Sequence, residues 1–499
     1  MTSSLPTTTY PDWKAPREDG EILIWPEPGK LLADTTENNH RLGQADARIQ
    51  NAPLSELRRA ARVWIGHTDD SQPIIADGHQ TELHHPGVWV KRVLSHFAAC
   101  RLRGSAANFA IDTDAPKHLV LRWLGGSVPI TDDPRLNDSH WSGMLDAPSP
   151  AHLADIEKQI GAVGVIPDFL VSLRRLALET PKLPPALTNA MHELDWSLGL
   201  RHHAYLASPI WTSPSFLTFA HHIIARAGPF ATDYNVALAE YRRAKKIRAT
   251  MRPMPDLAVL DESVELPFWL DELSTGGRTR PSAFEREGGG YVMTAPTGDE
   301  LEFDPATDAN EAADRLAGWL RRNDLRLSPR ALTLTMYLRL FVVDQFIHGI
   351  GGGQYDQVTD RIIATHFKIT PPRFAVATGT MYQPQALGRT RVCVPCVIQE
   401  GHRLKHSLLG ERKRELLSVI ESAPRRSAQR YAAFATMHRE LNAAAATSSR
   451  LAAWDRNLHE TRAREAEESA IFDRELFYAL QPRDRLEQMV DRFAGSLRH

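Results

Sequence analysis

The sequence predicts an α/β protein with a parallel-sheet core, helical insertions and a C-terminal antiparallel helical arm. Two buried-strand patterns, at 74–76 and 108–112, flank a helical pattern, which is the strand–helix–strand order of a parallel sheet. A further apolar run at 374–377 follows two prolines and predicts another buried strand. From residue 398 onward, apolar residues return at spacings of three and four, which is typical of paired helices.

The composition restricts the class of partner. The chain has 499 residues, 42% of them hydrophobic, and its 59 Lys and Arg against 61 Asp and Glu give a formal net charge of −2. This balance gives no reason to expect nucleic acid or an anionic membrane as a partner. Three cysteines do not make a disulfide framework. Because the sequence shows neither a leader pattern nor an apolar run of bilayer length, we expect a cytoplasmic protein.

The chain divides into four predicted segments. Residues 1–65 form an N-terminal arm that ends in a helix from Leu54 to Ile65, where apolar residues follow helical spacing. Residues 66–396 form the core, with a helical insertion at about 135–250 and a small β insertion at about 255–305 that turns at Gly288–Gly290. Residues 397–475 form the helical arm, and residues 476–499 close the chain.

The most informative stretch runs from residue 74 to residue 91. It predicts a strand at 74–76, a turn at Asp77-Gly78 where glycine permits positive φ or close backbone approach, a polar loop and a helix from Val88. Such a loop lies at the carboxyl end of a strand, where α/β folds bind ligands. The alternative is that its histidines are ordinary surface residues. The residues of this stretch that we assign to a site are His79 and His84 as catalytic, and Gly78, Gln80, His85 and Lys91 as substrate-binding. No metal site is expected, because His79 and His84 are five residues apart and Pro86 interrupts any helix there.

A second polar cluster follows the next predicted strand. Asp112 and Asp114 come directly after the buried run at 108–111. Because parallel strands end at the same edge of a sheet, we expect Asp112 as a catalytic group and Asp114 as a substrate-binding group beside His79. The alternative is a turn with an Asx cap, which is common at the end of a strand.

A glycine-rich stretch follows a predicted apolar helix that runs from Leu334 to Phe346. Four of the five residues from 349 to 353 are glycine, directly before a second helix start. Such a segment is suited to bind phosphate or carboxylate through backbone amides. We therefore assign substrate binding to Gly351, Gly352, Gly353, Tyr355 and Asp356, the last of these as a helix cap. The alternative is a helix C-cap followed by a tight turn.

The cysteines near the start of the arm form a short motif. Cys393 and Cys396 precede His402 and His406 in the order C-x2-C-x5-H-x3-H. These are metal-ligand residue types, but the central gap is shorter than the gap of about twelve residues that zinc fingers use. A redox pair at the start of a helix is a second interpretation. Structural cysteines without such chemistry are the third.

Four regions in the same order resemble the cysteine-adding enzyme family of bacillithiol biosynthesis. Gly78-His79-Gln80, with Leu83, Pro86 and Lys91, resembles that family's G-Q-Q-x-x-L segment, which a glycine–proline turn and a lysine follow. Residues 110–114 resemble its strand ending in E-D-H-D. Residues 328–353 resemble its S-P-N-x-L helix leading into G-G-P-G-E. The helical arm and residues 480–486 resemble its coiled coil and closing segment.

This resemblance implies a Rossmann-like core similar to that of nucleotidyltransferases and an antiparallel coiled-coil arm that makes a homodimer. It also implies that cysteine is joined to the amino group of a glucosaminyl malate. The sequence departs from the family at four points. Asp112-Thr113-Asp114 lacks the histidine of E-D-H-D. His79 stands where the family has glutamine, His84-His85 replace its glycine turn, and residues 353–356 lack P-G-E.

We therefore expect a small-molecule ligase or transferase that forms a C–N bond with an anionic substrate. His79 or His84 would act as general base on an amine, Gln80 and the glycines would bind an anionic group, and Lys91 would neutralise charge. Asp112 and Asp114 would hold a hydroxyl or an amine. One alternative is a nucleotidyltransferase that uses ATP with magnesium, because residues 84–87 are distantly similar to an H-x-G-H loop. Another is a non-catalytic dimeric metabolite-binding protein. The sequence does not fix the cofactor.

Overall fold

The computed structural model describes residues 10–249, 251, 254–287 and 289–498. They form two units, of which the first holds the described residues of Met1–Met381 and Arg474–His499 and the second holds Tyr382–Asp473. The predicted arm at 397–475 thus falls almost wholly in the second unit. None of the helices assigned in the described residues has an apolar stretch of the length needed to span a bilayer.

The secondary structure is mixed α/β, as the sequence predicts. In the described part of the chain the strands are β1 (Ile22–Trp25), β2 (Arg48–Ile49), β3 (Ala52–Pro53), β4 (Ile74–Gln80), β5 (Ser105–Ile111), β6 (Val120–Trp123), β7 (Gly126–Pro129), β8 (His203–Leu206), β9 (Ser263–Glu265), β10 (Phe268–Glu272), β11 (Arg278–Thr279), β12 (Ser282–Glu285), β13 (Tyr291–Thr294), β14 (Glu300–Phe303), β15 (Leu325–Pro329), β16 (Gln345–His348) and β17 (Ala375–Gly379). The α-helices are α1 (Pro28–Gly43), α2 (Leu54–Trp64), α3 (Pro86–Leu102), α4 (Pro150–Ile160), α5 (Ile166–Glu179), α6 (Leu183–Ser197), α7 (Pro214–Ile224), α8 (Ala227–Ala244), α9 (Ala309–Arg322), α10 (Ala331–Tyr337), α11 (Ile350–His366), α12 (Val394–Ser407), α13 (Gly410–Ser422), α14 (Ala428–Thr447), α15 (Ser449–Glu468) and α16 (Arg483–Ser496).

The main sheet has the order β1-β17-β16-β4-β5-β8. Strands β17, β16, β4, β5 and β8 are parallel, and β1 adds to the edge in the antiparallel sense. The predicted strand–helix–strand unit is confirmed as β4-α3-β5. The sequence interpretation missed β8, because only four residues of the helical insertion join the sheet, and it missed β1, because it predicts no strand in the N-terminal arm.

The apolar segment before the glycines is not one helix, and that prediction is wrong. Helix α10 ends at Tyr337, a single π-helical turn covers Leu338–Val342, and the chain then enters β16. All four residues of β16 are buried, since the strand lies between β4 and β17. A strand buried on both faces shows no alternation of polar and apolar residues, so its sequence cannot be distinguished from a buried helix by periodicity.

The predicted β insertion is made of two small antiparallel sheets. One has the order β14-β13-β12-β9 and the other has the order β11-β10-β15. Strand β15 lies outside the predicted limits of the insertion, so the second sheet extends beyond it. The predicted turn at Gly288–Gly290 lies partly outside the described residues, because Gly288 is not among them.

The second unit consists mainly of four helices. Helices α13 and α14 pack around Leu416, Ile420, Ala433 and Met437, and α12 packs against α15. The chain reverses between α13 and α14, near Pro424. Leu441 and Leu458 of the predicted apolar spacing are buried, whereas Phe434 is half exposed.

Candidate active site

The order in which the chain adds strands to the main sheet reverses between β4 and β16. These strands are parallel neighbours, with Phe346 opposite Ala76, but α3 leads from β4 to β5 on one side and α11 leads from β16 to β17 on the other. The two helices lie on opposite faces of the sheet, because α3 packs into the core that contains Ile75 and α11 packs into the core that contains Ala76. In open α/β sheets, ligands bind in the crevice outside the carboxyl ends of two such strands.

Strand β4 extends to Gln80, so the predicted turn at Asp77-Gly78 is wrong. Gly78 lies within the strand, opposite Phe109 of β5, and is not among the residues with positive φ. A Cβ at this position would lie 3.1 Å from the ring of Phe346. Glycine is therefore needed for close packing inside the sheet, and His79 and Gln80 belong to the strand rather than to a loop after it.

His79 and Glu82 form a hydrogen-bonded pair at the end of β4. The His79 Nε2 and Glu82 Oε1 atoms are 2.7 Å apart, and the histidine side chain is 26% exposed while the glutamate is 6% exposed. Burial raises the pKa of Glu82 to about 7, and the charges of His118 and Lys91 only partly oppose it. Burial also lowers the pKa of His79 well below its usual value, and the charge of Lys91 lowers it further. The pair therefore gains or loses a proton near neutral pH, which suits general acid–base catalysis.

The two following histidines are neutral and have different partners. His84 donates from Nε2 to the carbonyl oxygen of Gln80 at 3.2 Å, and its buried Nδ1 has no hydrogen-bond partner within the described residues. The His85 Nδ1 accepts the N–H of Gly87 at 3.1 Å and so caps α3. Burial lowers the pKa of both rings. His84 keeps a free acceptor 5.2 Å, ring to ring, from His79, whereas the ring of His85 is occupied as a helix cap.

Lys91 lies under β4 and is 3% exposed. Its Nζ donates to the carbonyl oxygen of Gly78 at 2.9 Å and is 3.7 Å from Asp77 Oδ2, which also accepts from Asn108. Burial lowers the pKa of this lysine, and Asp77 opposes the effect. Lys91 therefore supports β4 instead of contacting a substrate as predicted. From this position its charge lowers the pKa of His79.

The aspartates at the end of β5 have different partners. The carboxylate of Asp112 accepts both the backbone N–H of Ser208 and its hydroxyl, which fixes the loop after β8. Asp114 accepts the side-chain amide of Gln80 at 3.0 Å, so it connects the ends of β5 and β4. Burial raises the pKa of both carboxyl groups. Asp114 thus belongs to the edge beside His79, and Asp112 serves as an anchor rather than as the predicted catalytic group.

The glycines after β16 form the first turn of α11 rather than a loop before it. Gly349 is the N-cap, and the first hydrogen bond within the helix runs from the N–H of Gly353 to the carbonyl of Gly349. The amides of the intervening residues, including Gly351 and Gly352, point out of the helix end. A Cβ on Gly351 would meet open space, one on Gly352 would lie 2.8 Å from His348 and one on Gly353 would lie 2.4 Å from Val376. A side chain at Gly351 would therefore have room, whereas Gly353 is required for packing.

Asp356 does not cap α11, contrary to the prediction. It lies in the second turn and accepts from His348 Nε2 at 2.8 Å, from Thr335 Oγ1 at 2.7 Å and from Arg339. Burial alone would raise the pKa of this carboxyl, but the Arg339 guanidinium and His348 hold it far below its usual value. Tyr355, one residue earlier, is 37% exposed on the outside of the helix.

The sequence interpretation missed His348, because its strand was read as helix. It assigned no role to Glu82, although the i, i+3 spacing from His79 permits the pair. Within the described residues, no group of three or more His, Cys, Asp and Glu is arranged to hold a metal ion.

Neither a scan against models of protein families nor a search of curated proteins finds a match to this chain. The resemblance to the cysteine-adding enzyme family therefore stays a prediction. What the chain does must be argued from the site itself, with fold-level analogy kept apart from it.

Proposed function

We propose that the chain is a small-molecule ligase or transferase that forms a C–N bond at the crevice between β4 and β16. The observation that carries this proposal is the position of the His79–Glu82 pair at the end of β4, where the strand order of the sheet reverses. The start of α11 lies at the end of the neighbouring strand. An acid–base pair next to an anion-binding helix end is what an amine and an acidic co-substrate require.

The proposed roles follow from the contacts. His79 accepts the proton of the incoming amine and passes it to Glu82, whose pKa of about 7 permits the exchange at neutral pH. The unpaired Nδ1 of His84 accepts a hydrogen bond from a substrate N–H or O–H. The amides of Gly351 and Gly352 bind the anionic group. Gln80, held by Asp114, orients the substrate between the two strands.

The finer fold assignment is part of this proposal. Five parallel strands, with the two helices α3 and α11 on opposite faces, support a Rossmann-like core similar to that of nucleotidyltransferases. The pairing of α13 with α14 and of α12 with α15 supports an antiparallel coiled-coil arm, and a homodimer through that arm is a further prediction. We expect the protein to work in the cytoplasm.

The substrate class that we propose is cysteine, or a similar amino acid, and an amino-sugar conjugate. Joining a free carboxyl group to an amine releases water, and in water this step needs an activated carboxyl group. A nucleoside triphosphate would supply that activation, and its phosphates would suit the same amides. ATP with magnesium is therefore the co-substrate to test. A nucleotidyltransferase would instead release pyrophosphate without forming the C–N bond.

The first experiment is a mass-spectrometric assay of the purified protein with cysteine and glucosaminyl malate, with and without ATP and magnesium. We expect a cysteinyl conjugate from the wild type. His79→Ala should lower the rate by about 100-fold or more, because a general base is lost, and should leave the thermal midpoint nearly unchanged. His203→Ala is the matched control, since His203 is an exposed histidine at the amino end of β8. Absence of a conjugate from folded protein would remove the substrate assignment.

A second experiment tests the anion site independently of the reaction. In Gly351→Asp the new side chain has room, and its charge repels a bound anion at the start of α11. We expect calorimetric binding of ATP–magnesium to weaken by about tenfold or more, with no loss of stability, because acidic residues favour a helix start. Asn310→Asp is the matched control, since Asn310 is the exposed second residue of α9 just as Gly351 is the second residue of α11. Equal binding by both variants would show that the helix end is not the anion site.

A further inference from the structure

Cys393 and Cys396 form a disulfide at the start of α12 in the second unit. Both residues are exposed. Cys393 is the N-cap residue, and its Sγ accepts the backbone N–H of Cys396 at 3.2 Å. Pro395 lies between them in the first turn. The sulfur of Cys393 therefore takes the place of the side-chain oxygen that normally caps a helix.

This position favours the thiolate form of Cys393 once the disulfide is reduced. The free amides and the positive end of the helix dipole stabilise a negative charge on the capping atom. Arg391, two residues earlier, and Arg389 place further positive charge in the same segment. An exposed, stabilised thiolate with a second thiol one helical turn away is the arrangement that attacks disulfides and then resolves the product.

A purely structural role explains this bond poorly. The disulfide closes a ring of only four residues, and the loss of chain entropy that a crosslink imposes on the unfolded state falls as the ring becomes smaller. Both cysteines lie in one helix turn, so the bond joins no separate elements. The third cysteine, Cys100, is free and lies in the first unit.

A metal site explains the motif no better. The two sulfurs are bonded to each other, and His406 contacts Lys413, with 3.0 Å between the His406 Nδ1 and Lys413 Nζ atoms. His402 lines a cavity of about 460 Å³ between α12 and α15 together with Trp454. The interpretation of C-x2-C-x5-H-x3-H as a metal-ligand set is therefore not supported.

We propose that Cys393 and Cys396 are a reversible dithiol–disulfide site that exchanges electrons with a low-molecular-weight disulfide or thiol. In the oxidising direction, the Cys393 thiolate attacks one sulfur of R–S–S–R, which forms a mixed disulfide and releases R–S⁻. The Cys396 thiolate then attacks the Cys393 sulfur, closes the protein disulfide and releases the second R–S⁻. Two electrons pass from the protein to the small disulfide, and the two protons of the protein thiols end on the two released thiols.

The test uses the full chain, reduced and freed of reductant, with cystine as the small disulfide. Intact-mass analysis of Cys100→Ser, in which the exposed third thiol can no longer capture cysteine, should show the chain losing two hydrogens without retaining cysteine. Cys396→Ser should trap one cysteine on Cys393, and its rate of capture should exceed that of Cys393→Ser by about tenfold or more. Both substitutions are made in the Cys100→Ser background, and the wild type should differ from Cys100→Ser only by capture of cysteine at Cys100. Equal capture rates at the two positions would overturn the assignment of Cys393 as the attacking thiol.

A second measurement separates exchange from a structural crosslink. The wild type is equilibrated with mixtures of cysteine and cystine, and the reduced fraction is read after alkylation. We expect a reversible two-electron transition at accessible ratios and a thermal midpoint that changes little between the two states. A disulfide that stays closed at every ratio, or an arm that unfolds when the disulfide is reduced, would overturn the proposal. Because this readout needs no substrate of the crevice, its failure is distinct from failure of the proposed ligase function.

Discussion

Two histidine–carboxylate pairs in the first unit have similar geometry and different surroundings. His79 and Glu82 are 2.7 Å apart at the end of β4, and His202 and Asp195 are 3.0 Å apart in the interior. Asp195 also accepts from Trp89 at 2.8 Å and from Tyr478 at 3.1 Å, and it is paired with Arg92 at 3.1 Å. For Glu82, His79 is the one ion-pair partner identified within the described residues.

The number of partners gives the two carboxyl groups opposite pKa shifts. Burial raises the pKa of both, but the charge of Arg92 and the hydrogen bond from His202 outweigh burial at Asp195 and lower its pKa. At Glu82 burial prevails, and the pKa rises to about 7. A carboxylate with several donors holds its charge and supports the fold. A buried carboxyl group with one neutral partner changes its protonation near neutral pH, and this costs stability and permits chemistry.

The largest expected loss of stability follows from breaking the His202–Asp195 pair in the interior. Asp195→Ala leaves the buried Arg92 without its partner, so we expect the free energy of unfolding to fall by about 3–5 kcal/mol at pH 7. Because the folded pKa of Asp195 is lowered, its contribution exists above the unfolded value near 3.8 and declines as pH falls below it. Urea unfolding of both proteins at pH 7 and at about pH 3, below the unfolded pKa, measures this. A loss under 1 kcal/mol at pH 7 would mean that the network does not depend on Asp195.

The stability contributed by Glu82 of the His79–Glu82 pair should change with pH in the opposite direction to that contributed by Asp195. The folded pKa of Glu82 is about 7 against a usual value of 4.5, so the wild type loses stability as pH rises through 7. Glu82→Gln stays neutral and avoids this loss, so its free energy of unfolding should exceed that of the wild type by about 2–3 kcal/mol at pH 8 and by almost nothing at pH 4. Its catalytic rate should fall. Urea unfolding at the two pH values is the measurement, and a destabilised variant at pH 8 would make Glu82 a structural residue.

The sequence predicts the parts of this fold that depend on local pattern. The unit β4-α3-β5, helix α2 and strand β17 follow from apolar runs and from helical spacing, although α3 begins at Pro86, two residues before the predicted start at Val88. Strand β16 does not follow, because its burial on both faces depends on neighbours that are distant in the chain. Strand β8 is missed for the same reason, since its four residues become a strand only by pairing with β5.

The sequence predicts which strand ends lie together at the site, but it does not predict the role of each residue there. The ends of β4, β5 and β16 do lie at one edge, as parallel strands require. The roles of single residues depend on hydrogen bonds that the sequence does not encode locally. Asp112 is held by Ser208, which is 96 residues away, and Asp356 is held by Arg339 and His348. Glu82 is distinguished from these carboxylates by its few partners, which only the folded structure defines.

The smallest expected change in stability comes from His85, and its measurement separates the role of His85 from that of His79. The His85 Nδ1 caps α3, so His85→Ala should lower the free energy of unfolding by about 1 kcal/mol, and His85→Asn, which restores a capping oxygen, should recover most of it. Because burial holds the pKa of His85 at about 3, its ring stays neutral across the working range. The pH–rate profile of His85→Asn should therefore match that of the wild type, whereas loss of His79 or Glu82 removes the step near pH 7. A changed profile in His85→Asn would extend the reactive cluster to the helix cap, and an unchanged one would confine it to the His79–Glu82 pair.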